Sequence, residues 1–205
     1  MIDRIAAAAK RNVSRETFAR IERYVELLRH EAVRQNLISA STVETVWDRH
    51  VLDSAQLVQF EPKAGSAWVD IGSGAGLPGL VVACLVDGPV ALVEPRRLRA
   101  EFLQKMIVAL DLSARVSVQQ VNAQRAQGKY DVISARAVAS LSKLFEISQH
   151  LSTGNTVWAL PKGRSALEEL AEAQQAWQGV FHVERSVTDD ESYIVVGTGV
   201  GVKPR

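Results

Sequence analysis

The sequence predicts an α/β fold, a mainly parallel sheet covered by helices on both faces and closed at one edge by an antiparallel hairpin. Three observations carry that prediction. From Ala67 onward, short apolar runs alternate with amphipathic stretches, the pattern of strands joined by crossover helices. A glycine-rich string, Gly72 to Gly79, follows the first apolar run directly and opens a helical stretch. The last two apolar runs flank Asp189-Asp190, a turn pair, and read as a hairpin.

Taken in order, residues 1–62 form a helical extension and residues 63–205 the α/β core, the two making one structural domain. Ala6 to Ala9 is too short for a signal-peptide core and is followed at once by Lys10 and Arg11, so no targeting segment is visible. Between Glu16 and Gln35, Phe18, Ile21, Val25, Leu28 and Ala32 recur at three- and four-residue steps, one helix face, with Ser14 as N-cap. A second helix begins near Ser41, where Ser41 and Glu44 have capping-box spacing, and its apolar face runs through Val43, Val46, Trp47, His50 and Leu57.

Past Pro62 and Gly65, Ala67 to Ile71 reads as a buried strand, Leu77 to Val86 as a helix and Val90 to Val93 as the next strand. Arg96 to Leu110 is a helix with Leu98, Phe102, Met106 and Leu110 facing inward. Strands at Val116 to Val121, Tyr130 to Ser134 and Thr156 to Leu160 alternate with helices at Leu141 to Leu151 and Ser165 to Gln178. Val180 to Val187 and Ser192 to Thr198 form the hairpin, and the tail from Gly199 to Arg205 is expected to be loosely ordered.

At 205 residues, with 47% hydrophobic and 23% charged residues, the chain has the ordinary globular mix, which excludes intrinsic disorder. Its one cysteine, Cys84, lies in an apolar helical stretch and can form no disulfide within the chain, which favours a reducing, cytoplasmic setting. The longest apolar run is far below the ~20 residues that cross a bilayer, so no membrane partner is expected. No metal set is visible either: His30, His50, His150 and His182 show no paired ligand spacing.

The net charge of +1 conceals a pattern. Residues 1–35 carry a net +3, 36–95 a net −5, 96–164 a net +7 and 165–205 a net −4. The +7 block spans the loops after the second to fifth strands, where Arg96, Arg97, Arg99, Arg125, Lys129, Arg136, Lys143, Lys162 and Arg164 are placed to frame a ligand pocket with positive potential. Such a surface binds phosphates without reading sequence, so the neutral total does not exclude a nucleic-acid partner.

The string Val69-Asp70-Ile71-Gly72-Ser73-Gly74-Ala75-Gly76-Leu77-Pro78-Gly79 carries the chemistry. Glycines just past a strand let backbone N–H groups approach a ligand at the carboxyl edge of the sheet. The next strand ends in Glu94, 22 residues after Gly72. An acid about 20 residues on accepts hydrogen bonds from ribose hydroxyls and would reject a 2′-phosphate; its other use is as a helix N-terminal carboxylate ahead of Pro95. Gly74 to Gly79 also fits the dinucleotide pattern G-x-G-x-x-G, leaving an NAD-binding oxidoreductase as a second reading.

Asp70-x-Gly-x-Gly-x-Gly followed by a strand-end acid resembles the Rossmann-like class I S-adenosylmethionine-dependent methyltransferases, whose mainly parallel seven-stranded sheet ends in an antiparallel hairpin. The longer string Asp70 to Gly79 is similar to the ribosomal small-subunit methyltransferase G family. Further family-like stretches follow in order from Asn36 to Gly163: Asn36-Leu37, Arg49-His50 with Asp53-Ser54, Leu92-Val93-Glu94-Pro95 with Arg99 and Phe102-Leu103, Ser134-Ala135-Arg136-Ala137, and Leu160-Pro161-Lys162-Gly163. The resemblance implies methylation of guanine N7 in the 530 loop of 16S rRNA, with S-adenosyl-L-methionine as donor and S-adenosyl-L-homocysteine as product. It implies naked 16S rRNA or the 30S subunit as substrate and no obligate protein partner. Gly72, Leu77, Ala123, Gln124 and Arg136 would lie around the donor, and the glycine string with its strand-end acid adds Asp70, Gly74 and Glu94 to the expected cofactor-binding residues. Family members carry an Arg-x-Glu-like string where this chain has Asn122-Ala123-Gln124, so any role needing a carboxylate there is unfilled.

Guanine N7 already offers a lone pair, so the transfer needs no general base, and proximity with local electrostatics should supply the catalysis. The chain fits in what it lacks. Ala135-Arg136-Ala137 follows the fourth strand in place of an Asn/Asp-Pro-Pro-aromatic string, and Cys84 sits away from any strand end. No residue is therefore assigned as catalytic, with Arg136 the one candidate, able to meet the donor, the guanine edge or a phosphate. Arg49, His50, Lys162 and Arg164 are the expected RNA contacts, His50 being equally readable as a packing histidine. A third reading, an RNA-binding module without activity, stays open because of Gln124.

Overall fold

The computed structural model describes residues 1–32, 34–35, 37–39 and 44–204. Its centre is a seven-stranded sheet in the order β3-β2-β1-β4-β5-β7-β6. The strands are β1 (Trp68–Ile71), β2 (Val90–Val93), β3 (Val116–Gln119), β4 (Val132–Ala135), β5 (Val157–Lys162), β6 (Trp177–Arg185) and β7 (Tyr193–Val202). The first five pair in parallel, and β7 runs antiparallel between β5 and β6. Every residue of β1, β2 and β4 is buried, as strands covered on both faces require. The strand order reverses between β2 and β4 on either side of β1, so the crevice for a ligand opens outside the carboxyl end of β1.

Helices α1 (Ile2–Ala9), α2 (Arg15–Ala32), α3 (Gly79–Leu85) and α4 (Arg97–Ala109) share one apolar cluster with Trp68 and Leu92 of the sheet. Helices α5 (Leu141–Ser148) and α6 (Ala166–Ala176) cover the other face, where Val69, Ile71 and Trp158 point. Between α2 and β1 the chain forms an irregular helical run: a π-helical stretch Trp47–Leu52, one α-turn Asp53–Ala55 and a 3₁₀ stretch Gln56–Phe60. The capping box expected at Ser41 and Glu44 lies at the edge of the described residues, Ser41 falling outside them, as do Val43 and Asn36. Of the expected apolar face, Val46 and Leu57 are fully buried, whereas Trp47 and His50 are only partly so.

The elements read from periodicity recur with shifts at their ends, and the departures have local causes. Helix α1 escaped the sequence reading because it is eight residues long with only Ile2 and Ile5 as large apolar groups, too few to show a period. It is held by packing: Ile5, Ala8 and Ala9 are buried, Lys10 ends it in a left-handed conformation, and Arg11 donates to the Val58 and Leu85 carbonyls and pairs with Glu61 at 2.9 Å. Ser14 caps α2 as expected, its Oγ accepting the Thr17 N–H at 3.0 Å. Leu98, expected to face inward, is 53% exposed; the buried face of α4 runs through Ala100, Phe102, Leu103, Met106 and Ile107 instead. Residues expected at the loose tail are in strand as far as Val202, because Trp177 and Gln178 of β6 pair with Val202 and Gly201. Strand β5 runs through Pro161, where proline is tolerated because pairing with β4 has stopped at Ala159.

Helix α2 reaches the glycine string directly. The fully buried Tyr24 hydroxyl donates to the Ala75 carbonyl at 2.8 Å, and burial raises the Tyr24 pKa well above its ordinary value, so it stays a donor. Tyr24→Phe leaves a buried carbonyl without its partner and should destabilise the protein by about 1–2 kcal/mol in urea unfolding, with the aromatic packing kept.

Candidate functional site

The site is built at the carboxyl ends of β1, β2 and β4, around a loop that the backbone itself ties down. Gly72 and Ser73 donate their N–H groups to the Val93 carbonyl at 2.8 and 3.0 Å, folding the chain back over β2. Gly72, Gly74 and Gly76 have φ of 68°, 54° and 93°, the left-handed region that glycine enters without steric cost. Gly79 is required for a different reason: a Cβ there would press on the Leu92 side chain and sit 2.7 Å from Asp70 Oδ2. That absence of a side chain lets α3 begin against the sheet.

Asp70, expected among the cofactor-binding residues, lies beneath the glycine loop and outside the lining of the two cavities described below. The side chain is buried, Oδ2 accepts the Gly79 N–H at 3.2 Å, and Oδ1 accepts the Ser134 hydroxyl at 3.0 Å. Burial pushes its pKa up to about 6, opposed by hydrogen bonds from Ser73, Ser134 and the Gly79 N–H and by the charge of Arg136. Glu94, also buried, accepts the Gly74 N–H at 2.9 Å on one oxygen and the Arg96 N–H at 2.8 Å on the other. It braces the start of α4, one of the two uses expected of it, and it lines a cavity, each oxygen retaining a second acceptor lone pair.

Two cavities adjoin here. The smaller, about 290 Å³, is lined by Gly72, Glu94, Ala123 and Gln124 of the expected ligand set, together with Arg96, Arg99 and Asn122. Gly74 and Leu77 support the loop from outside this lining, and Arg136 opens elsewhere. The larger, about 760 Å³, is lined by Arg49, His50, Arg136 and Lys162, and by Asp53, Glu169 and Asp189. Ala137 and Val138 line both and form the wall between them. A Cβ on Gly72 would come within 2.6 Å of Val138, so the wall rests on the glycine loop.

Each cation of the larger cavity carries a carboxylate from another element. Arg49 pairs with Asp189 at 2.9 Å, Arg136 with Asp53 at 3.2 Å and Lys162 with Glu169 at 2.8 Å. Lys162 also donates to the Ala139 carbonyl at 2.7 Å, and its presence holds the Glu169 carboxyl below the usual range against the effect of burial. The second Arg136 nitrogen donates to His50 Nδ1 at 2.6 Å. A guanidinium only donates, so His50 carries its proton on Nε2. Burial and then Arg136 lower the His50 pKa to about 4, which keeps the imidazole neutral at physiological pH.

The other basic residues divide. Arg164 is exposed, pairs with Glu191 at 2.8 Å and stands outside the larger cavity's lining. Arg97 and Lys143 form short-range surface pairs with Glu101 and Glu146. Lys129, expected near the pocket, precedes β4 and donates to the His150 and Ser152 carbonyls ahead of β5, which places it at the opposite edge of the sheet. Asp53, Glu169 and Asp189 were not singled out from sequence as site residues. Their partners lie up to 140 positions away, and only a shared cavity marks them. Among the described residues, no group of three or more His, Cys, Asp or Glu could hold a metal ion.

The pH dependence follows from Asp70. Its folded-state pKa lies above its unfolded value of 3.8, so its favourable contribution is complete below that value and is lost as pH rises through about 6. Between pH 5 and pH 7.5 this loss is about 1 kcal/mol. Asp70→Asn keeps an acceptor for Gly79 and cannot ionise, so urea unfolding at the two pH values should show the decline reduced by that amount.

Comparison with known proteins places this geometry. Residues 17–200 match a family model described as rRNA small subunit methyltransferase G. A protein of Sphingopyxis alaskensis named ribosomal RNA small subunit methyltransferase G is 49% identical over 188 residues, 91% of this chain and 80% of that protein. One of the same name from Erythrobacter litoralis is 48% identical over 88% of this chain and 87% of its own length. Among solved structures, a SAM-dependent O-methyltransferase from Thermotoga maritima aligns with a TM-score of 0.56 at 16% identity, covering 87% of this chain and 73% of that one. A ribosomal protein L11 methylase from Lactobacillus delbrueckii aligns with a TM-score of 0.57 at 12% identity, covering 76% and 79%. The architecture is thus the Rossmann-like class I methyltransferase fold.

Proposed function

This chain belongs to the rRNA small subunit methyltransferase G family, enzymes that methylate ribosomal RNA, and we propose that it transfers the methyl group of S-adenosyl-L-methionine to N7 of a guanine in the 530 loop of 16S rRNA. The observation that carries the reading is the pair of cavities sharing the wall Ala137–Val138, one bordered by the glycine loop and Glu94, the other by cations. A donor pocket and an RNA pocket separated by one stretch of chain are what a transfer between two ligands requires.

The residues of the smaller cavity fit the donor. Glu94 has acceptor capacity left for ribose hydroxyls, and Gly72 presents backbone without a side chain. Ala123 and Gln124, in the short 3₁₀ turn after β3, offer backbone and an amide where no carboxylate stands. When bound, the donor supplies an electrophilic methyl group on a sulfonium. The chain's own residues then have to orient a guanine whose N7 lone pair is already available, so no general base is called for.

In the larger cavity, Arg49, Arg136 and Lys162 can meet RNA phosphates or the O6/N7 edge of guanine. Arg49, the most exposed of the three with its side chain 56% accessible, exchanges Asp189 for a phosphate most easily. Arg164 adds an outer phosphate contact. His50 stays uncharged and contributes shape and its Nε2–H, not positive potential. The substrate is naked 16S rRNA or the 30S subunit.

Incubating 30S subunits from a strain lacking the gene with labelled donor, then mapping by mass spectrometry, should yield one 7-methylguanosine in the 530 loop. Label on any other atom or no label in 16S rRNA overturns the assignment. S-adenosyl-L-homocysteine should raise the melting temperature where NAD does not; the reverse pattern would favour an oxidoreductase.

A further inference from the structure

The irregular helical run 47–60 does more than cover the sheet. Among the described residues, it supplies the partners of the Arg136 guanidinium: the Arg49 carbonyl at 3.4 Å, His50 Nδ1 at 2.6 Å and Asp53 Oδ2 at 3.2 Å. Asp53 in turn is a junction. Its other oxygen accepts Gln56 Nε2 at 2.9 Å and the hydroxyls of Ser186 and Thr188, both at 3.2 Å. Gln56 is fully buried and fixes the same loop from a second side, its Nε2 donating to Ser186 Oγ at 2.9 Å and its Oε1 accepting the Val187 N–H at 3.0 Å. One carboxylate therefore links the amino-terminal extension to the segment after β4 and to the β6–β7 loop, 83 and 133 residues further along the chain.

We propose that Asp53 is the positioning residue that sets Arg136 at the wall between the two cavities, so that the extension completes the reaction site. This rests on the methyltransferase reading above. The argument is geometric. Arg136 stands directly before Ala137 and Val138, the residues shared by the cavities, and its long side chain is fixed in one direction only if both guanidinium ends are engaged. The Asp53 side chain is 14% exposed, so little water competes for that role, and its second oxygen is immobilised by three donors. Asp53 touches Arg136 and the loop, acting on the substrate through them.

The test is a double-variant cycle on the full chain with 30S subunits and saturating donor. Asp53→Asn presents an amide where Arg136 needs an anion, and should lower kcat at least tenfold. Affinity for S-adenosyl-L-homocysteine by calorimetry should stay within about twofold. Asp53→Glu should recover part of the loss. Arg136→Lys should cost as much as Asp53→Asn, and the double variant no more than the larger single loss. Losses that multiply in the double variant, or an Asp53→Asn enzyme with wild-type kcat, overturn the proposal. Failure of the wild-type enzyme to methylate 16S rRNA instead counts against the substrate reading, and the proposal is then decided by the guanidinium nitrogen resonances of Arg136. Those should be resolved and restrained in the wild type and averaged by rotation in Asp53→Asn; identical spectra overturn it.

Discussion

The buried carboxylate of Asp70 is the constraint on which the rest of the site depends. It sits at the end of the central strand, holds the first N–H of α3 through Gly79 and holds β4 through Ser134. Burying an anion there is unfavourable, as the raised pKa records, and the hydrogen bonds converging on it offset only part of that cost. The glycine loop is consequently shaped from below, by a group that lines neither cavity. Glu94 shapes the same loop from the side, through the Gly74 N–H, and Tyr24 from above, through the Ala75 carbonyl. Three side chains, from β1, the residue after β2, and α2, thus converge on one short stretch of backbone.

Beyond the loop, charge is arranged as compensated pairs. Summed over residues 96–164 the chain is strongly basic, yet within the larger cavity Arg49, Arg136 and Lys162 each face a carboxylate. A covered pair lacking one member would leave an uncompensated charge, which Asp53 and Glu169 prevent at Arg136 and Lys162. The pairs differ in exposure: Arg49–Asp189 lies nearest solvent, while Arg136–Asp53 and Lys162–Glu169 are mostly covered. Under the proposed function, the outer pair suits exchange with a phosphate and the inner two suit alignment.

Much of this was legible in the sequence. Alternating apolar runs located the sheet, because a strand covered on both faces is nearly continuously apolar, and Val90–Val93 matches to the residue. The glycine string and Glu94 pointed to the carboxyl edge of the sheet, because glycine enters the left-handed region at no steric cost and Glu94 follows the next strand directly. Helix ends were less legible. The inward face of α4 was misassigned at Leu98, where neighbouring elements rather than the helical period decide what is covered.

The sequence by itself determined the fold class, the strand edge that carries the site and the kinds of ligand its motifs suit, since those depend on local periodicity and on residues close together in the chain. The tertiary structure decided how the charges are spent. Whether Arg136 is a surface cation or one held by His50 and Asp53, whether His50 is charged, and whether Asp53 and Asp189 share a cavity with Arg136 all depend on partners 83 to 140 residues distant. Electrostatic interaction falls with separation in space and takes no account of separation along the chain, so those pairings exist only once the extension and the closing hairpin have packed against the sheet.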